Sequence, residues 1–279
     1  MGIDIDTGNF IQEMEKLPPN RFVAMLDIMG FKKIVEAETT SQVGILFKKI
    51  YERIKEREYS SHLHITHFSD TILIISNDDT VDSFEDIVNT AASFENMMIA
   101  NGYAINGCIS YGRVAFESNN SFGEPIANAH LQQEDLFFYG IILDEYAEKK
   151  YHEYLEKNVL FSNGFGSLSS PDMVIDMMIP SKNNGWINKY MINWMDVFSR
   201  ETTSKVGLLT YDDQIPLLRT YMENLYKKYV KNGSIGNRAN MYILHTELVL
   251  REWYNFTGEK NGRASWGTPL FDKYLIKTE

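Results

Sequence analysis

Two aspartates stand where a carboxylate needs a reason. Asp27 interrupts the apolar run RFVAMLDIM at 21–29, and Asp70 sits between two β-rich runs in HITHFSDTILII. A carboxylate inside an apolar strand is costly to bury unless a cation, a metal or hydrogen bonds compensate it. Taken singly, each has a plain reading: Asp27 as a strand-end residue capping the helix that follows, Asp70 as an ordinary turn residue. Taken together they can do more. If the strand ending at Asp27 lies beside the hairpin tipped by Asp70, the two carboxylates become neighbours. Such a pair repels, and each raises the other's pKa, unless a divalent cation sits between them. Two cations bridged by two aspartates suit in-line phosphoryl chemistry, one activating an attacking hydroxyl and the other neutralising the leaving group. Gly30-Phe31 opens a helix directly after the first strand, and backbone N–H groups there can receive a phosphate.

The elements that must position these residues follow from the apolar pattern. The run at 21–29 reads as a buried central strand ended by Gly30. Residues 31–58 carry apolar residues at helical spacing and read as largely helical. Residues 62–68 and 71–76 form a tight hairpin around Ser69-Asp70. A helix is expected over 82–101, opened by Asp82 or Ser83 and closed by Gly102. A strand at 103–111 is followed by a turn at Gly112-Arg113 into a shorter β segment, a short helix at 127–135 and a strand at 137–143. The order β-α-β-β-α-β is the split βαβ pattern of a ferredoxin-like sheet. One face would be covered by helices, and the other left for a partner or a second copy of the chain. Beyond this, 146–157, 214–231 and 238–254 read as helical, with a short strand near 173–179. The boundary is placed near residue 145, giving a core over 1–145 and a C-terminal extension over 146–279 that packs on it.

Bulk properties narrow the chemistry. The chain has 279 residues, 44% hydrophobic and 23% charged, which allows a sizeable core. A net charge of -11 argues against a nucleic-acid binder, whose phosphate-tracking surface needs a basic excess. It leaves room for a single nucleotide held by metal ions, backbone amides and one or two cations. Cys108 is the only cysteine, so no intrachain disulfide forms, in keeping with a reducing cytosol and a cytoplasmic location. The opening MGIDIDTGNFIQEME has neither the basic nor the apolar segment of a signal peptide, and no window approaches about 18 apolar residues. No direct membrane contact is expected.

With these residues in view, FVAMLDIMGF resembles the first metal-binding strand and phosphate-binding turn of class III nucleotidyl cyclases, and THFSDTILI resembles their second metal-binding hairpin. INGCISYGRVAF followed by SFGEPIANAHLQQED resembles the later strand pair and the helix that completes the site. The resemblance covers roughly residues 20–145. Within the superfamily the wording is most similar to bacterial Pycsar pyrimidine cyclases: LDIMGF, FSD in place of the usual GD, ISYG, an FG-x-P-x-x-x-A helix start, and a tail containing YGIILD and PSKNNG…INWMD. The resemblance implies an α+β fold, a ferredoxin-like βαββαβ class III cyclase catalytic core with a mixed, mostly helical C-terminal extension. It also implies two Mg2+ or Mn2+ ions per site. Asp27 and Asp70 would be catalytic metal ligands, the backbone carbonyl of Ile28 a third ligand, and Met29, Gly30 and Phe31 the triphosphate cradle. In this family the site forms between two chains, so a homodimer with shared sites is implied.

Three positions depart from the purine enzymes. Thr66 stands where their base-reading Lys would be, four residues before the second aspartate. Ala127 and Leu131 stand at their transition-state Asn and Arg positions, with Asn128 one residue away. Arg113, Lys32 and Lys33 are candidate phosphate cations, each of which reads first as a solvated surface charge. The expected activity is therefore a pyrimidine cyclase making the 3′,5′-cyclic monophosphate, with UTP ahead of CTP, whose product is read by an effector protein in antiphage defence. A purine cyclase with a divergent base pocket and an inactive cyclase-fold sensor are the alternatives. Other motifs read as structural. His62, His64 and His67 do not share one face, SNGFGSLSS at 162–170 lacks a strand-to-helix context, and Met177, Met178, Trp186, Trp194, Trp253 and Trp266 read as packing residues.

Overall fold

A computed structural model describes residues 18–60, 63–117, 120–157, 173–194, 211–230, 238–259 and 269–274. The opening MGIDIDTGNF, His62, SNGFGSLSS and Trp266 lie outside the described residues, as does the side chain of Lys33. The elements are β1 (Asn20–Ile28), α1 (Phe31–Ala37), α2 (Thr40–Ser60), β2 (Leu63–Phe68), β3 (Thr71–Ser76), α3 (Val81–Ala100), β4 (Ile105–Glu117), β5 (Asn120–Gly123), α4 (Glu124–Asp135), β6 (Ile141–Leu143), α5 (Glu145–Glu156), β7 (Val174–Ser181), β8 (Gly185–Ile192), α6 (Tyr211–Tyr229), α7 (Arg238–Glu259) and α8 (Leu270–Tyr274).

The strands form one sheet in the order β2-β3-β1-β4-β6-β8-β7, with β5 paired to β4. Its first four strands have the β2-β3-β1-β4 order of a ferredoxin-like βαββαβ unit, so the architecture is α+β. Pairing is antiparallel except between β4 and β6. The period-two pattern divides each strand between two faces. Phe22, Ala24, Leu26 and Ile28 of β1 join Ile72 and Ile74 of β3 and pack with Phe84, Ile87, Val88 and Ala91 of α3 in the main core. The Phe22 and Phe84 rings lie 5.2 Å apart. The opposite face carries Val23, Ile75 and Val114, covered by Ile126 of α4.

Local chemistry moves several element boundaries. The helix expected over 31–58 is two helices. Glu38 is extended (φ -94, ψ 153), and Thr39 and Gln42 form a capping box, with Thr39 N donating to Gln42 Oε1 at 2.9 Å. Helix α3 is capped by Thr80, not Asp82 or Ser83. The Thr80 hydroxyl accepts from Ser83 N, and Asp78 Oδ1 accepts from both Thr80 and Ser83 hydroxyls. Strand β4 runs through Gly112-Arg113 to Glu117, because Val114 to Glu117 pair with β5. Helix α4 begins at Glu124, three residues earlier than expected, with Pro125 in its first turn where the missing N–H costs nothing. Only Ile141–Leu143 of the 137–143 segment is strand. Before it, Phe137 N donates to Pro180 O at 3.0 Å and Tyr139 N to Thr246 Oγ1 at 2.8 Å, so those amides leave the ladder.

Residues after 145 join the same sheet and core. The β7–β8 hairpin continues the sheet through β6, and Trp194, Trp253, Tyr226 and Met177 are buried. Met178 and Trp186 are half-exposed. Cys108 is fully buried, as a small core residue would be.

Gly107 sits opposite Leu26, and a methyl on it would stand 2.6 Å from both Met25 O and Leu26 Cδ2. The backbone of β1 therefore reaches its place only because β4 has no side chain there. Gly107→Ala should cost about 1–3 kcal/mol, read as a lower urea midpoint with an unchanged slope.

Candidate active site

Asp27 is the penultimate residue of β1, and its register partners are Thr71 on β3 and Asn106 on β4. A run of apolar residues carries β1 into the centre of the sheet and leaves Asp27 near its C-terminal end. Asp70 is the second residue of the two-residue loop joining β2 and β3, between the paired Phe68 and Thr71. The loop turns at Ser69, whose φ of +56 lies in the left-handed region that glycine occupies without strain. The Ile28 amide donates to the Asp70 carbonyl at 3.0 Å, tying the hairpin tip to the end of β1. The two carboxylates are thus held by adjacent strands at one end of the sheet.

Electrostatics reflect that closeness. Burial first, and the Asp70 charge second, push the Asp27 carboxyl up to about 7, against a hydrogen bond with the Thr71 side chain that works the other way. Below about pH 7 the Asp27 carboxyl is mostly protonated. Among the described residues no third His, Cys, Asp or Glu joins a cluster that could hold a metal ion. Further ligands would have to be backbone carbonyls such as that of Ile28, water and phosphate oxygens. Two carboxylates and a carbonyl make a hard oxygen set, which suits Mg2+ or Mn2+, and the proton on Asp27 is one that such an ion would displace.

The turn expected to receive phosphate offers fewer amides than the sequence suggests. The Met29 amide donates to Ala104 O at 2.9 Å, so it is engaged within the sheet and is not free for a phosphate. Gly30, at φ +71 and exposed, and Phe31, the first residue of α1, are left with amides that no other described residue accepts. The Phe31 ring packs edge-on against Phe47 at 5.6 Å, one of the contacts that seat α1. Lys32 is exposed.

Thr66 on β2 pairs with Leu73, whose other partner is Met25, two residues before Asp27. By strand alternation Thr66 lies on the Asp27 face, half-buried. His64 shares that face, and His67 lies on the other against Phe47. Asn128 is on α4, beside the buried residues Pro125, Ala129 and Gln133. Helix α4 crosses the Asp27 face, where Gln133 Nε2 donates to Asn106 Oδ1 at 3.3 Å and Asn106 is paired with Asp27. Arg113 is not brought to the carboxylates within one chain. It pairs with Asn20 at the other end of β1, seven residues from Asp27, or about 23 Å at the usual strand rise. The continuation of β4 past Gly112 places it there.

Thr71, Asn106 and Gln133 are the neighbours that sequence reading passes over. Asn106 carried a signal of the same kind as Asp27, a polar residue inside an apolar strand, and it is only 2% exposed. Gln133 had no such mark. No helix among the described residues is long and apolar enough to cross a membrane.

No protein-family model and no curated protein matches the sequence. Among solved structures, the chain is similar to the guanylate cyclase domain of RhGC from Catenaria anguillulae, solved with GTP, at 14% identity over 63% of this chain and 96% of that one, TM-score 0.42. It is also similar to the monomeric guanylyl cyclase domain of the RhoGC fusion protein from Blastocladiella emersonii (14% identity, 63% and 95%, TM-score 0.45). A third is the adenylyl cyclase CyaB from P. aeruginosa (15%, 62% and 93%, TM-score 0.43).

The raised Asp27 pKa has a definite sign. The folded chain binds this proton more tightly than the unfolded chain. The stability it contributes is present below about pH 4 and is lost as pH rises through about 7. Asp27→Asn should therefore gain stability relative to wild type at pH 8 and not at pH 4 in metal-free buffer. The same substitution should abolish the rise in melting temperature produced by Mn2+, a rise that in wild type is larger at pH 8 than at pH 5.

Proposed function

We propose that the chain is a class III-like nucleotidyl cyclase that converts a pyrimidine nucleoside triphosphate, UTP in preference to CTP, to its 3′,5′-cyclic monophosphate and pyrophosphate. The observation that carries this reading is the meeting of Asp27 and Asp70 at the open end of β1 and β3, with the Asp27 carboxyl pushed up to about 7. Two Mg2+ or Mn2+ ions would be held by Asp27, Asp70 and the Ile28 carbonyl. When bound they would lower the pKa of the ribose 3′-hydroxyl and balance the charge of the departing pyrophosphate.

The chain's own residues bind, orient and release. Asp27 gives up its proton as substrate and cations arrive. The free amides of Gly30 and Phe31 receive phosphate oxygens. The 3′-oxygen then attacks the α-phosphorus, the bond to the β-phosphate breaks, and the hydroxyl proton leaves to solvent. Thr66, on the same face, offers a short hydroxyl toward the base where a purine enzyme would place a long cation. With that contact unmade, the preference for a purine is lost.

A homodimer with shared sites follows the same reading. Phe68 is 84% exposed beside Asp70, and Leu131 is 62% exposed on α4, which crosses the Asp27 face. Apolar residues this open next to a polar site fit burial against a second copy. Asn128, and Arg113 at the far end of β4, would then serve the partner's site. We take 1–145 as the catalytic core, 146–279 as the extension, the cytoplasm as the compartment, and a product-sensing effector as the partner in antiphage signalling.

A second reading, an inactive cyclase-fold sensor, is favoured by one observation: Ala127 and exposed Leu131 occupy positions where an amide and a guanidinium would stabilise the transition state.

Incubating the purified chain with each of the four triphosphates and Mn2+ separates these readings. UTP should yield its cyclic monophosphate, and Asp70→Asn should reduce turnover at least about 100-fold. Cyclisation of ATP or GTP alone would overturn the pyrimidine assignment. Triphosphate-dependent stabilisation without product from any of the four would favour the sensor.

A further inference from the structure

Helix α1 is seven residues long. A helix so short does not hold its own position, because the nucleation cost exceeds what one or two turns return. What touches its two ends therefore decides where the Gly30–Phe31 amides point. Both ends are touched by consecutive residues in the last turn of α6, nearly two hundred residues away in the chain.

At the N-terminal end, Tyr229 lies against Gly30. A methyl placed on that glycine would stand 3.5 Å from Tyr229 Cε1, ordinary van der Waals contact, so the ring stands about one methyl's width from the turn. At the C-terminal end, Lys228 Nζ is 2.7 Å from Glu38 Oε1, and Glu38 caps α1 by donating its amide to Ile34 O. Tyr103 completes the arrangement. Its hydroxyl donates to Glu38 Oε2 at 2.7 Å, and Lys228 Nζ sits 3.4 Å over its ring. The ion pair is sheltered, with 26% and 17% of the two side chains exposed, so water screens it less than a surface pair. Tyr103 precedes Ala104, whose carbonyl holds the Met29 amide. One turn of α6 thus braces the glycine before α1, the residue after it, and the strand start on which Met29 is anchored.

We propose that Lys228 and Tyr229 are positioning residues of the nucleotide site, through which docking of α6 sets the geometry of the β1–α1 turn and hence its affinity for a triphosphate. The inference rests on the reading that this turn receives phosphates. It adds that the C-terminal extension is part of the binding apparatus of the core, and that the two are linked: whatever loosens α6 weakens substrate binding, and bound substrate tightens α6 in equal measure.

The test uses the full chain and inorganic tripolyphosphate with excess Mn2+, a probe that reports the phosphate turn without a base or a turnover. Its dissociation constant is read by calorimetry beside the melting temperature. Lys228→Met and Tyr229→Leu should each weaken binding about 5- to 50-fold, the span of a 1–2 kcal/mol coupling, while Lys228→Arg stays within about threefold of wild type. Glu38→Gln breaks the same ion pair from α1 and should reproduce the Lys228→Met loss, which covers the case in which that variant does not fold. Ile75→Ala, a core change in the separate cluster on the other sheet face, away from α6, should lower the melting temperature and leave the dissociation constant alone. The inference is overturned if Lys228→Met, Tyr229→Leu and Glu38→Gln keep wild-type affinity, or if Ile75→Ala weakens binding as much as they do. A wild-type chain with no Mn2+-dependent tripolyphosphate binding would instead refute the phosphate-turn reading itself, and the inference with it.

Discussion

Two like charges are held together by a β-sheet. Strand β1 must pass through the centre of the sheet, and its apolar side chains on the α3 face take it there. The same register leaves Asp27 opposite Thr71, one residue from Asp70, and the Ile28 amide closes the gap by donating to the Asp70 carbonyl. Burial and repulsion work against this arrangement, and the raised Asp27 pKa is the consequence. The sheet absorbs the cost through packing that lies elsewhere, in Phe22, Leu26, Phe84 and their neighbours. A carboxyl with a raised pKa on a well-packed support marks a candidate functional site.

Much of the core was legible because its signals are local. The continuous apolar run of β1, the hairpin around Ser69-Asp70 and the glycine after α3 each follow from a few adjacent residues, and all three elements lie where the pattern places them. The features that escaped are set by distant partners or by competing caps. Thr80 displaced Asp82 because Asp78 organises that turn from two residues upstream. The break at Glu38 was written in the Thr39–Gln42 capping box, but the periodicity across it looked continuous. The shortened β6 could not be foreseen, since Tyr139 gives its amide to Thr246, more than a hundred residues later.

The site divides in the same way. Asp27, Asp70 and Gly30 stand out by residue type and spacing and Thr66 only through the resemblance, and the strand register puts Asp27 and Thr66 on one face with Asp70 at the adjoining hairpin tip. Met29 was misjudged, since only the pairing with Ala104 reveals that its amide is used. Arg113 is carried away from the carboxylates of its own chain because a glycine that looked like a turn lies inside a longer strand. The extension contributed most that was unreadable. Lys228 and Tyr229 have no motif about them, and their relation to Gly30 and Glu38 exists only in three dimensions.

The central claim is that Asp27 and Asp70 share divalent ions. Anomalous scattering from crystals grown with Mn2+ and a non-hydrolysable uridine triphosphate analogue at pH 8 tests it directly. The account predicts manganese peaks within about 2.5 Å of oxygens from both carboxylates. Manganese bound elsewhere, or a nucleotide seated with Asp27 still protonated and without metal, would contradict it.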